Sequence, residues 1–397
     1  MKKNIKTLWF YLEPYVFVSE DLKGFFFYNS DSKKGISFDK NEITNKVVMQ
    51  LQNIYNMYSV MIGVKDMENE HLYNLIKSLQ EEEFGDIIES NLPKPIIMPP
   101  VLSLQKSVER MNKARLPLIN DSVLSYLHEV TIFVNGKCQY DCKECKNMFR
   151  QYTHCTKSND SINFTLLNDF LYPISLTGAS INITGGDPFK YPELKNLLDV
   201  FGGRGFKQTL IVHYLNIPNE FDLLHSFTGE LFRLNILVND SYQEKSLVDS
   251  AEKLLQNNIN QLWEIGITSV LEYEKAELLS EQLIKRNIDV NIKPLYNGNN
   301  LIFFKENVFI QQEDIIFAEL DRQEVFALQK LNTNDFGKIT IMYDGRVYAN
   351  INKAPIGDFK ERIGEILCRE LEYGESWRYT RYNLKICNKC RFKETVN

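Results

Sequence analysis

Aromatic and β-branched residues crowd the first forty positions into three runs, at 9–18, 24–29 and 35–38. Glu20-Asp21 and Asp31-Ser32 interrupt them, which predicts short strands joined by turns. Helical spacing follows at 41–55 and 69–83; in the second stretch Leu72, Leu75, Ile76 and Leu79 share one face. Strands followed by helices within residues 1–90 predict an α+β unit. Pro93, Pro95, Pro99, Pro100 and Pro117 then mark 91–125 as a linker.

From residue 126 the pattern alternates. Strand-like apolar runs at 130–134, 180–184, 209–214, 234–238, 264–268 and 289–295 are separated by helical stretches such as 164–171, 193–201, 243–257 and 275–286. Near-continuous apolar strands between helices predict parallel strands with right-handed crossovers. Six such units over 126–300 predict an open or partial (β/α)6 barrel, with chemistry at the carboxyl ends of the strands. Residues 301–397 form a third region. In it Asp344-Gly345 signals a hairpin between 338–342 and 346–349, and a helix at 360–372 precedes Cys387 and Cys390. No repeat of solenoid length is present.

Composition narrows the function. Hydrophobic residues make up 44% and charged residues 25%, enough for a full core. Lys and Arg total 46 against 52 Asp and Glu, a net charge of −6, so no basic footprint for nucleic acid exists. The 25 Phe and 20 Tyr therefore read as core and interface material. No apolar run is long enough for a membrane span. Lys2, Lys3 and Lys6 precede an apolar stretch that stops at Glu13-Pro14 without a small-residue cleavage site, so no signal peptide is expected. Seven cysteines, odd in number and clustered, point to a reducing cytoplasm with metal or redox thiols.

Cys138, Cys142 and Cys145 form C-x3-C-x2-C just beyond the first alternating strand. Three thiolates can bind three irons of a four-iron cluster and leave the fourth open to another ligand. After the second strand comes Ile183-Thr184-Gly185-Gly186-Asp187-Pro188. Two glycines there let backbone approach a ligand closely, and the carboxylate can hold a ligand ammonium. This pair of motifs resembles the radical S-adenosylmethionine superfamily, with its glycine-glycine-acid-proline turn. Residues 294–300 and 336–350 and the pair Cys387/Cys390 are similar to peptide maturases with a SPASM- or twitch-like C-terminal region, more narrowly to Bacteroidales-type maturases, some of them pseudo-radical-SAM proteins. In element pattern, residues 1–90 resemble the small winged-helix-like domains that bind precursor leader peptides by adding a strand.

The resemblance implies an iron–sulfur [4Fe–4S] cluster on Cys138, Cys142 and Cys145, with S-adenosylmethionine on the open iron. Gly185, Gly186 and Asp187 would position its amino end. Asn239-Asp240, at the end of the fourth strand, either meets a ribose hydroxyl or simply ends the strand. It implies a 5′-deoxyadenosyl radical acting on a ribosomally synthesised precursor peptide, and a flavodoxin- or ferredoxin-type electron donor. Glu144 stands where the family places an aromatic residue, and Asn350 where a full SPASM pattern places a cysteine. With Cys387 and Cys390 alone beyond it, a complete auxiliary cluster is not expected.

Two alternatives stay open. One is a degenerate cluster site on a fold kept to bind or recruit a precursor peptide. The other is a zinc-stapled protein, since Cys142/Cys145 and Cys387/Cys390 are two C-x2-C pairs, although far apart for a zinc knuckle. Cys155 reads as a buried thiol or a further ligand, and Cys368, after Ile363, Ile366 and Leu367, as core. His213 follows a strand and either lines its carboxyl end or serves structure.

Overall fold

Pro14 decides how the chain begins. In the computed structural model, which describes residues 6–100, 123–140, 157–217, 224, 229–238 and 242–395, the apolar run at 9–18 is cut by a turn at Glu13–Tyr15. Its halves, β1 (Thr7–Leu12) and β2 (Val16–Glu20), enter different sheets. β2 joins β3 (Gly24–Asn29) and β4 (Lys34–Asp39) in an antiparallel meander. β1 lies between β5 (Ser59–Gly63) and β6 (Gly85–Glu89), two short strands that the hydrophobic pattern did not announce. The helix Glu42–Gln52 starts with a capping box between Asn41 and Thr44. The helix Glu70–Glu81 buries Leu72, Leu75, Ile76 and Leu79, the face that the spacing predicted. Both helices pack with Phe10, Leu12, Phe25 and Phe27 in one core.

The opposite face of the meander needs its own cover. Phe17, Phe26 and Tyr28 pack with Val325 of the helix Arg322–Lys330 and with Phe392. The Tyr28 hydroxyl accepts from the Leu320 N–H (2.6 Å) and lies 2.8 Å from the Ala318 carbonyl. The chain thus divides into two compact units, one of 1–110, 310–334 and 378–397, the other of 111–309 and 335–377. Residues 301–397, expected as one C-terminal region, are shared between them.

The second unit is mixed α/β with a nine-stranded sheet. From one edge inward run six parallel strands in reverse chain order, β12 (Asp289–Pro294), β11 (Gln261–Ile267), β10 (Phe232–Val238), β9 (Gln208–His213), β8 (Ser180–Thr184) and β7 (Glu129–Phe133). The hairpin at Asp344-Gly345 forms, and β13 (Lys338–Ile341) runs parallel to β7. β14 (Arg346–Tyr348) and β15 (Gly357–Asp358) continue the sheet antiparallel.

One face of this sheet is apolar. Val130, Ile132, Ile181, Ile183, Leu210, Val212, Leu234, Ile236, Trp263 and Ile265 share a core with the helices that link the strands. The alternate positions are largely polar, Thr131, Asn182, Thr209, His213, Arg233, Asn235, Glu264, Asp289, Asn291 and Lys293 among them. The expectation of continuously apolar strands is corrected accordingly: helices cover one side, and the other carries hydrogen-bonding groups. Among the described residues no helix is long and apolar enough to cross a membrane.

Candidate functional site

Beyond β7 the chain runs through Val134 and Asn135 to Lys137 and Cys138, and beyond β8 it makes the turn Gly185-Gly186-Asp187-Pro188. These two strand exits are tied together. Val134 N–H donates to the Thr184 carbonyl at 2.8 Å, and Gly186 N–H to the Asn135 carbonyl at 3.0 Å. The Asn135 side chain, fully buried, is the staple. Its Nδ2 donates to the Asp187 carbonyl at 2.9 Å, and its Oδ1 accepts from Lys137 N–H at 3.2 Å and Asp187 N–H at 3.4 Å.

The glycines are required by this closeness. Gly185 has φ +152°, and a Cβ there would lie 2.6 Å from the Asn135 carbonyl oxygen. A Cβ on Gly186 would collide with the carbonyl of Lys137, the residue before Cys138. Asp187 is buried; its Oδ1 accepts from Phe189 N–H at 3.2 Å, and its Oδ2 pairs with the exposed Lys190 at 3.2 Å. From the end of β9, Asn216 donates through Nδ2 to the Gly186 carbonyl at 3.3 Å. Its Oδ1 is buried with no hydrogen-bond partner among the described residues. The His213 ring lies against Tyr140, centroids 6.1 Å apart, and the Tyr140 hydroxyl donates to the Leu215 carbonyl at 2.9 Å. The exits of β7, β8 and β9 therefore gather on the segment that carries Cys138.

Cys138 is partly exposed. Cys142, Glu144, Cys145, Cys155 and Asn239 lie outside the described residues, and among the described residues no group of three or more His, Cys, Asp and Glu side chains is assembled. Cys387 and Cys390 belong to the other unit. The Cys390 sulfur accepts from Phe392 N–H at 3.4 Å, and Arg381 Nη1 lies 3.9 Å from the Cys387 sulfur. Cys368 packs against the core of the sheet unit, where burial pushes its thiol up, as do the carboxylates of Glu372 and Glu365.

Two features escaped the sequence. Asn135 lies just beyond the expected strand at 130–134 and carries no local signal; only the fold turns it into a staple. The second is a buried polar group on β10–β12. Glu264, with a side chain only 5% exposed, pairs with Lys293 and accepts from Asn235 Nδ2 at 2.8 Å. Beside it Arg233 and Asp289 pair at 2.6 Å. A glutamate between the apolar pairs Leu262-Trp263 and Ile265-Gly266 was the available signal.

No protein-family model and no curated protein matches the chain. Among solved structures, Streptococcus suis SuiB bound to S-adenosylmethionine is similar at a TM-score of 0.43 and 12% identity, over 98% of this chain and 94% of that one. SuiB bound to precursor peptide SuiA gives 0.42 and 12% over the same shares. Native anSMEcpe with bound AdoMet and Cp18Cys peptide gives 0.44 and 11%, over 67% of this chain and 87% of that one.

Proposed function

We propose that this chain is a radical S-adenosylmethionine enzyme, its six parallel strands a partial (β/α)6 barrel, that modifies a ribosomally synthesised precursor peptide. The observation that carries this is the approach of Gly186 to Lys137. Two motifs that stand far apart in the sequence share one hydrogen-bonded knot on Asn135, with Cys138 one residue away. The residues suit the groups required. Thiols are the donor class for an iron–sulfur cluster; the glycine turn bares its backbone; and the unpartnered Asn216 Oδ1 offers an acceptor beside that turn.

Cys138, Cys142 and Cys145 would hold a [4Fe–4S] cluster, and Gly185, Gly186, Asp187 and Asn239 would contact S-adenosylmethionine. When bound and reduced by one electron, that pair supplies a carbon-centred radical able to abstract hydrogen. The chain's own part is to bind, orient and exclude water. Asn135 locks both loops at their separation, so the turn is already shaped before a ligand arrives. Asp187 exchanges its exposed partner Lys190 for a ligand ammonium. The helix-covered face keeps the strands rigid, and the polar face receives the peptide. The first unit offers sheet edges at β2, β4, β5 and β6 for a leader strand. A flavodoxin- or ferredoxin-type donor would deliver the electron.

A degenerate, peptide-recruiting site is the competing function, favoured by Glu144 in the cysteine loop and by the ion pair that already occupies Asp187. Anaerobic incubation of the reconstituted chain with S-adenosylmethionine and dithionite separates the two. Formation of 5′-deoxyadenosine, abolished by Cys138→Ala, is the expected result. An iron-loaded chain that forms none would leave recruitment as the function.

A further inference from the structure

Cys387 and Cys390 stand apart from the cysteine loop beyond β7 and lie wholly within the first unit. A single 3-10 turn carries them, in which Cys390 N–H donates to the Cys387 carbonyl at 3.0 Å. Such a four-residue turn keeps its end Cα atoms within about 7 Å, the reach of a disulfide. Both sulfurs are free thiols and partly exposed, and Leu384, Lys385, Ile386, Asn388 and Lys389 around them are exposed as well. Each sulfur accepts a hydrogen bond, Cys387 from Arg381 Nη1 at 3.9 Å and Cys390 from Phe392 N–H at 3.4 Å. Donors so placed stabilise negative charge as it passes from sulfur to sulfur during thiol–disulfide exchange. Among the described residues no third His, Cys, Asp or Glu joins the pair to make a metal-ligand set.

We propose that Cys387 and Cys390 are a reversible redox pair, closed to a disulfide by a small anionic disulfide of the oxidised-glutathione type, and that closure braces the first unit. The Cys387 sulfur attacks the carrier, whose S–S bond breaks, and one half of the carrier leaves as a thiol. The Cys390 sulfur then displaces the second half from Cys387. Two protein thiols are oxidised to one disulfide, the carrier is reduced to two thiols, and the two protein thiol protons pass to them. Lys385 and Lys389, exposed on the turn, suit the carboxylates of such a carrier. Packing supplies the consequence. Cys390 lies against the cluster of Phe17, Phe26, Tyr28, Val325 and Phe392, and the carbonyl of the next residue, Arg391, accepts from Ser19 Oγ on β2. Closing the pair therefore fixes the segment that covers the meander's second face. Neither an iron–sulfur cluster nor S-adenosylmethionine enters this inference.

The test exposes the full, metal-free chain to graded ratios of oxidised to reduced glutathione, followed by acid quenching, alkylation and tryptic mass spectrometry. Trypsin cuts after Lys385, Lys389 and Arg391, so closure joins peptide 386–389 to peptide 390–391, two hydrogens lighter than the separate thiols. The linked pair should form fully in oxidised glutathione, reopen in the reduced form, and raise the melting temperature by about 2–4 °C. Cys390→Ser should instead trap one glutathione on Cys387 and melt no higher for it. Cys368, packed against the core of the sheet unit, should stay free throughout. Glutathione adducts that persist on the parent chain's Cys387 and Cys390, or thiols there that react no faster than Cys368, would overturn the proposal. So would a linked pair that melts like the reduced chain, because the turn would then brace nothing.

Discussion

A single asparagine joins the two motifs on which the proposed function depends. Asn135 spends both ends of its amide on the loops beyond β7 and β8, and the neighbouring glycines leave no room for a side chain. Gly186→Ala would push a methyl group into the Lys137 carbonyl, which is backbone and cannot swing aside. It should cost about 1–3 kcal/mol in denaturant unfolding. Gly203→Ala, in a helix with nothing within 4 Å of the added carbon, should be neutral or slightly stabilising. Similar losses in both would contradict the cradle.

Glu370 makes a second residue-scale prediction. Its Oε1 accepts from the N–H groups of Ser376 (2.9 Å) and Trp377 (2.8 Å) and so folds the chain back over a buried tryptophan. Burial raises the Glu370 carboxyl above its ordinary 4.5, against the pull of those two N–H groups. The folded state then holds the proton more tightly than the unfolded chain, so stability falls as pH climbs from 4.5 through the raised value. Glu370→Gln keeps the carbonyl acceptor and cannot ionise. Its stability relative to the parent should rise across that window and level off above it, as followed by thermal melts; a difference independent of pH would contradict the burial assignment.

At the scale of elements, legibility tracked how local the determinants are. The helix face at Leu72, Leu75, Ile76 and Leu79 and the Asp344-Gly345 hairpin were readable because one turn or one periodicity sets each. The split of the 9–18 run was not, since β1 finds its partners only at 59–63 and 85–89. The polar face was missed for a related reason: short strands such as Ser180–Thr184 hold two or three alternations, too few to tell a half-polar strand from a buried one. The hairpin itself is testable. Gly345 has φ +85°, and a Cβ there would come within 2.9 Å of the Phe359 ring. Gly345→Ala should cost about 1–2 kcal/mol. The loss should appear first as faster amide exchange in β13 and β14; unchanged exchange there would mean that the turn does not hold the sheet's extension in place.

At the scale of the molecule, the chain builds two units from five stretches, because the meander's second face recruits segments beyond residue 309. Sequence spacing gives no sign that Val325 and Phe392 pack with Phe17, Phe26 and Tyr28, because those partners lie some three hundred residues away in the chain. The candidate site was legible in its two motifs and illegible in Asn135, the staple that joins them. Its central claim concerns the three thiols beyond β7, and metal analysis reaches it most directly. After anaerobic reconstitution with iron and sulfide, the chain should be brown and carry about four irons. Cys138→Ala, Cys142→Ala and Cys145→Ala should each lose the colour, and Cys368→Ala should keep it. A colourless, iron-free chain, or one holding stoichiometric zinc instead, would contradict the account.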